Sequence, residues 1–186
     1  MSETVCRSIC VFCGSRPGHN PIFSTAATDL GTGLARAGLR LVYGAGDVGL
    51  MGDVARAAQA AGGQTFGVIP EHLLAREVGK RDLTQFIVTQ TMHERKKVMF
   101  MNADAILALP GGPGTLDEVF EVLTWAQLGL HAKPVLLLNI AGYWDPLIAL
   151  IEATIDNGFA APSFRAHYQV HDTVPGALGA LTSSLL

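Results

Sequence analysis

The residues able to do chemistry in this 186-residue chain gather in a few short stretches. The densest reads Pro110-Gly111-Gly112-Pro113-Gly114-Thr115-Leu116-Asp117-Glu118. Its first five residues hold three glycines and two prolines. Glycine lets a backbone approach a ligand closely, and proline stiffens it. A helix predicted from Thr115 would add its N-terminal amides and dipole to the loop, an arrangement suited to a phosphate. No Lys-Ser/Thr pair follows the glycines, which argues against an ATP-hydrolysing phosphate loop. Glu118 and Glu121 are three apart and lie near one helix face, so one or both can enter a site in front of the loop. Glu118 also has a plainer reading, because Thr115-x-x-Glu118 has the spacing of a capping box.

The second stretch is Met92-His93-Glu94-Arg95-Lys96-Lys97. Charges at a helix start usually make a solvated face. Basic residues in a first turn oppose the helix dipole, however, so this spacing calls for a nearby anion, either a phosphate or a carboxylate such as Glu118. An arginine fork holds either one. A third stretch, Gly44-Ala45-Gly46-Asp47-Val48-Gly49, matches G-x-G-x-x-G, and Glu71 follows the next strand where a ribose-binding acid would stand. That pattern suits contact with a phosphate or nucleotide without redox chemistry. A dinucleotide cofactor or a purely structural turn are the alternatives.

Apolar runs of strand length alternate with helical patterns and must position these residues. Strands are predicted at 8–13, 39–43, 65–69, 86–89, 105–109, 134–138 and 168–170. Helices are predicted at 21–37, 50–61, 93–102, 115–128, 145–156 and from 175. Continuous apolar strands separated by helices imply an α/β, Rossmann-like, doubly wound parallel sheet with helices on both faces. Ligands in such sheets bind beyond the carboxyl ends of the strands, here the loops after Cys13, Tyr43, Ile69 and Leu109. The length fits one domain over 1–186.

Charged residues are only 16%, and 13 Lys+Arg against 16 Asp+Glu give a net charge of −3. That balance excludes a nucleic-acid binder working by bulk charge, and the apolar content excludes a disordered chain. Cys6, Cys10 and Cys13 lie together in one apolar stretch, Val5 to Cys13, with Cys10 and Cys13 on opposite faces of the predicted strand, which reads as buried thiols and not as a disulfide framework. No secretory pattern and no apolar run of spanning length is visible, so the expectation is a cytoplasmic protein without membrane contact. The six histidines show no ligand-like spacing, and no metal is expected.

Pro110-Gly-Gly-x-Gly-Thr-x-x-Glu118, preceded by Met92-His-x-Arg95-Lys96, resembles the signature pair of the Lonely Guy family, the cytokinin riboside 5'-monophosphate phosphoribohydrolases. Cys13-Gly14-Ser15, Gly44 to Gly52, and Thr124 to Gly129 are similar to further stretches of that family. The resemblance implies hydrolysis of the N-glycosidic bond of a purine nucleoside 5'-monophosphate, to the free base and ribose 5-phosphate, without a cofactor. It assigns catalysis to Arg95 and Glu118. It assigns substrate contact to Gly14, Ser15, Gly44, Gly46, Met92, Lys96, Gly111, Gly112, Gly114, Thr115 and Thr124. A carboxylate there would stabilise oxocarbenium charge or activate water, and Arg95 would orient Glu118 and hold it ionised or contact the sugar phosphate. The resemblance also implies a homodimer. The apolar residues Leu123, Trp125 and Leu128 would supply either that interface or core packing. Ala45 stands where relatives usually have Gly, and Pro113 fills a position that is often aromatic. Relatives often carry the label lysine decarboxylase. A short chain with four lysines does not look like an enzyme that anchors pyridoxal phosphate. The alternatives are a nucleotide-binding module without turnover and an NAD-dependent oxidoreductase.

Overall fold

The computed structural model describes residues 7–74 and 79–185. Cys6 lies outside them. Seven strands, β1 (Ser8–Phe12), β2 (Arg40–Tyr43), β3 (Thr65–Pro70), β4 (Gln85–Thr89), β5 (Ala105–Ala108), β6 (Val135–Leu138) and β7 (Gln169–His171), form one sheet. Its order is β4-β3-β2-β1-β5-β6-β7. Every pairing is parallel. Among the described residues five α-helices connect strands, α1 (Ile22–Arg36), α2 (Gly49–Ala60), α3 (Met92–Met101), α4 (Pro113–Gln127) and α5 (Asp145–Asp156), and a sixth, α6 (Val174–Leu185), follows β7.

The alternation of side chains along each strand divides the core in two. Ile9, Val11, Leu41 and Leu107 point to one face, where they pack with Leu30 of α1, Val54 of α2 and Leu181 of α6. Cys10, Phe12, Val42 and Ile106 point to the other, against Met99 of α3, Val119 of α4 and Ile151 of α5. Burial of both faces explains the unbroken apolar runs and the low charge content. Cys10 and Cys13 fall in opposite halves, as the strand period requires. Burial pushes the Cys10 thiol well above its ordinary value, so Cys10 is an unreactive core residue.

The chain winds outward from β1 to β4, then returns through α3 to place β5 on the other side of β1. The strand order reverses between β1 and β5, and a doubly wound sheet opens its ligand crevice at that point. Two element boundaries differ from the sequence expectation in ways that affect the site. The first is α4, which starts at Pro113, two residues early. Proline's fixed φ suits the first helical position, and its missing N–H costs nothing there. The second is α3, which starts at Met92 with Thr91 as its cap.

Candidate active site

A cavity of about 560 Å³ opens at the carboxyl ends of β1, β2 and β5, lined by the loops that follow them and by α3 and α4. That volume lies within the ~300–1,000 Å³ usual for small-molecule sites. Ten of the residues expected at the site line it: Gly14, Ser15, Gly44, Met92, Arg95, Gly111, Gly112, Gly114, Thr115 and Glu118.

Arg95 projects from the second turn of α3 and is only 4% exposed. Its Nε donates to Val68 O at 3.1 Å, and its Nη2 donates to Gly44 O at 2.7 Å. One acceptor lies within β3 and the other just past the end of neighbouring β2, so the guanidinium is fixed as a positive charge in the cavity wall. The dipole conflict expected for α3 is resolved inside the helix. Thr91 Oγ1 accepts from Glu94 N at 3.1 Å, while Glu94 Oε2 accepts from Thr91 N at 3.2 Å and from Gln90 N at 2.8 Å. The capping box expected at Thr115–Glu118 thus occurs at Thr91–Glu94. Thr115 lies inside α4, whose cap is Gly112, and Glu118 sits in the second turn, beyond the reach of a cap. That leaves Glu118 half-buried in the cavity lining.

Glu121 is turned elsewhere. Its Oε2 is 2.8 Å from Lys96 Nζ, which also lies 2.9 Å from Asp117 Oδ2. Burial disfavours the Lys96 charge, but the hydrogen bonds to Glu121 and Asp117 outweigh it and raise the ammonium above its ordinary value. Lys96 is therefore a tie between α3 and α4 outside the cavity lining. Thr124 is exposed on α4, also outside the lining. Gly46 is buried and bridges to Gly79. Of the Gly44–Gly49 loop, only Gly44 faces the cavity, and Glu71 stands exposed outside it. Ala45, flagged for departing from glycine, takes φ 57° and is fully buried.

The loop before α4 is held from several sides. Gly14 N donates to Pro110 O at 3.0 Å. A side chain on Gly111 would collide with Thr115 and the Gly14 backbone, whereas one on Gly112 or Gly114 would meet nothing within 4 Å. Packing therefore demands glycine at 111. At 112 and 114 glycine keeps the backbone of the helix start open toward the cavity. Tyr143, Phe23 and Arg16 also line the cavity and carry no signal in the motifs, and Met51 lines it from the Gly44–Gly52 stretch without being among the expected contacts. Leu123 and Trp125 are core residues, and only Leu128 of that expected apolar trio is exposed. Among the described residues no three His, Cys, Asp or Glu side chains gather to hold a metal. Among them also, no helix is long and apolar enough to cross a membrane.

The chain is similar throughout to known proteins. The sequence model of a family described as "Possible lysine decarboxylase" matches residues 51–181. The probable cytokinin riboside 5'-monophosphate phosphoribohydrolase LOG4 of Oryza sativa subsp. japonica is 46% identical over 178 residues, covering 96% of this chain and 77% of that protein. The cytokinin riboside 5'-monophosphate phosphoribohydrolase LOG5 of Arabidopsis thaliana is 47% identical over 159 residues, covering 86% and 70%. The rice relative LOGL5 is 48% identical over 159 residues, and the chain spans 65% of its length. Among solved structures, the Moco carrier protein from Chlamydomonas reinhardtii superposes with a TM-score of 0.73 at 25% identity, over 97% of this chain and 98% of that one. Both signature stretches, and the cavity they share at the β1/β5 switch point, are thus set in a sequence nearly half identical to the plant proteins, and the chain belongs to the Lonely Guy family, whose sequence model bears the lysine decarboxylase description.

Proposed function

We infer that the protein hydrolyses the N-glycosidic bond of adenine-type nucleoside 5'-monophosphates, including N6-modified ones, to the free base and ribose 5-phosphate. One observation carries the reading. A fixed arginine on α3 and a carboxylate on α4 face a single cavity whose floor is an open glycine loop at a helix N-terminus. The plant relatives' names state the same reaction class.

The chemistry follows from the placement. The 5'-phosphate is held by the amides of the 111–115 loop and the positive end of α4. Its fixed distance from the anomeric carbon positions the sugar against Glu118. As the C1'–N9 bond breaks, positive charge builds on the sugar. Glu118 stabilises that charge and takes a proton from the water that attacks C1'; the departing base takes up one proton from solvent and Glu118 returns one to solvent, so that the water is divided between C1' and the base. Arg95, with two donors committed to strand carbonyls, anchors this wall as a rigid cation and orients its anionic neighbours.

We propose further that the protein works as a homodimer in the cytoplasm. Leu128 and Leu130, 66% and 68% exposed just beyond α4, with Phe120 on that helix, supply exposed apolar surface for a second copy to cover. The buried thiols of Cys10 and Cys13 suit a reducing compartment.

Incubation with AMP and with isopentenyladenosine monophosphate tests the reading. Free base and ribose 5-phosphate should appear in equal amounts, with far slower release from the plain nucleosides. Binding without release would make the protein a nucleotide-binding module. Sedimentation tests the dimer.

A further inference from the structure

The phosphate loop is latched by a residue outside both signature stretches. Tyr143 follows β6, and its Oη donates to Gly111 O at 2.5 Å. The ring is clamped edge-on between Phe23, at 5.6 Å and 76°, and Trp144, at 5.0 Å and 82°. Trp144 is itself buried and anchored, donating its backbone N–H to Asn139 Oδ1 at 2.6 Å and Nε1 to Ala108 O at 3.3 Å. The turn that raises Tyr143 over the loop contains Ala141 at φ 53°. A non-glycine residue in that region is strained, and such strain concentrates at functional sites.

The consequence lies in the geometry of one peptide unit. In a trans peptide the C=O and the next N–H point in opposite directions. A hydroxyl that fixes the Gly111 carbonyl therefore fixes the Gly112 N–H the other way. The Gly111–Gly112 bond joins two glycines, whose backbones rotate most easily, so this is the link most able to turn over. Gly112 is also the cap of α4, where an amide meets the helix dipole.

We propose that Tyr143 is a positioning residue for phosphate: its hydroxyl locks the Gly111–Gly112 peptide so that the Gly112 amide is presented before the substrate arrives. The proposal rests on the reading that this loop holds the 5'-phosphate. Preorganisation of this kind raises affinity by removing the cost of ordering the loop on binding.

Y143F removes the latch and keeps the clamped ring. Calorimetry with ribose 5-phosphate and with inorganic phosphate reads the loop without any turnover. Affinity for both should fall about three- to tenfold, the worth of one hydrogen bond. KM for the nucleoside monophosphate should rise in parallel, with kcat within about twofold and the melting temperature unchanged. Unchanged ribose 5-phosphate affinity in Y143F overturns the proposal, and so does a loss confined to kcat. If the wild type binds ribose 5-phosphate but hydrolyses nothing, weaker binding by Y143F still supports the latch while the hydrolase reading fails.

Discussion

Arg95 and Gly44 are sterically matched. Nη2 of the arginine donates to the Gly44 carbonyl at 2.7 Å, and a methyl group on Gly44 would collide with that same nitrogen and crowd the sulfur of Met51. Glycine at the end of β2 is therefore a condition for the guanidinium to lie where it does. G44A should expel Arg95 from its carbonyl pair. We expect an activity loss of about a hundredfold from the misplacement, with a stability loss of ~1–3 kcal/mol from the disturbed buried contacts. Chemical denaturation alongside turnover checks both. Wild-type kinetics in G44A would show that Arg95 need not be held there.

The two glutamates of α4 are separated by the same experiment. Glu118 faces the cavity and is too deep in the helix to cap it, while Glu121 is spent on Lys96. E118Q should lower kcat by about 10²–10⁴-fold, the range for losing a positioned acid–base group, with an unchanged melting temperature. E121Q should keep most activity. Equal turnover in E118Q and wild type would remove Glu118 from the mechanism.

That distinction shows what the sequence made legible. The βα alternation and the glycine loop at 111–115 follow from apolar periodicity and turn chemistry, whereas the catalytic roles of Arg95 and Glu118 are implied by the family resemblance, and the switch point needs the strand order. Spacing alone does not separate Glu118 from Glu121, because both fit one helix face; physically the choice is made by Lys96 on another helix, which takes Glu121. The cap of α4 was misplaced because Pro113 starts the helix ahead of Thr115. Tyr143 was invisible. It reaches the loop through a left-handed turn at Ala141, and only Gly142 beside it signals a turn.

Gly114 offers a test that sets stability against function. It is the second residue of α4, lines the cavity, and has open space where a side chain would go. G114A should stabilise the free protein by about 0.5–1 kcal/mol, from helix propensity and a less flexible unfolded chain. It should also raise KM for the monophosphate about tenfold, because the methyl crowds the amides. Thermal melts with and without ribose 5-phosphate check this: the variant should melt higher alone and gain less from the ligand. Equal ligand stabilisation in both proteins would place the phosphate elsewhere.

Tyr43 carries a fully buried hydroxyl with no hydrogen-bond partner among the described residues. Burial pushes its phenol far above the ordinary range, with the Asp47 charge adding to the effect. A buried unsatisfied hydroxyl costs stability. Y43F should leave stability unchanged or raise it by up to about 1 kcal/mol, read from the denaturation midpoint. A loss of more than that would reveal a polar partner for the hydroxyl.

The Lys96 tie between α3 and α4 gives a pH-dependent prediction. Its ammonium is raised above the ordinary 10.5 by Glu121 and Asp117, against the opposing effect of burial. A group whose folded value is raised contributes stability in full below its unfolded value and loses it as pH rises through the folded one. K96M removes the contribution, which we put at about 1 kcal/mol because Asp117 is 62% exposed. The stability gap between wild type and K96M should be constant from about pH 7 to 9 and close above about pH 10.5. K96M should retain turnover if Lys96 only ties the helices. A large rise in KM with an unchanged pH profile of stability would restore Lys96 as a substrate contact.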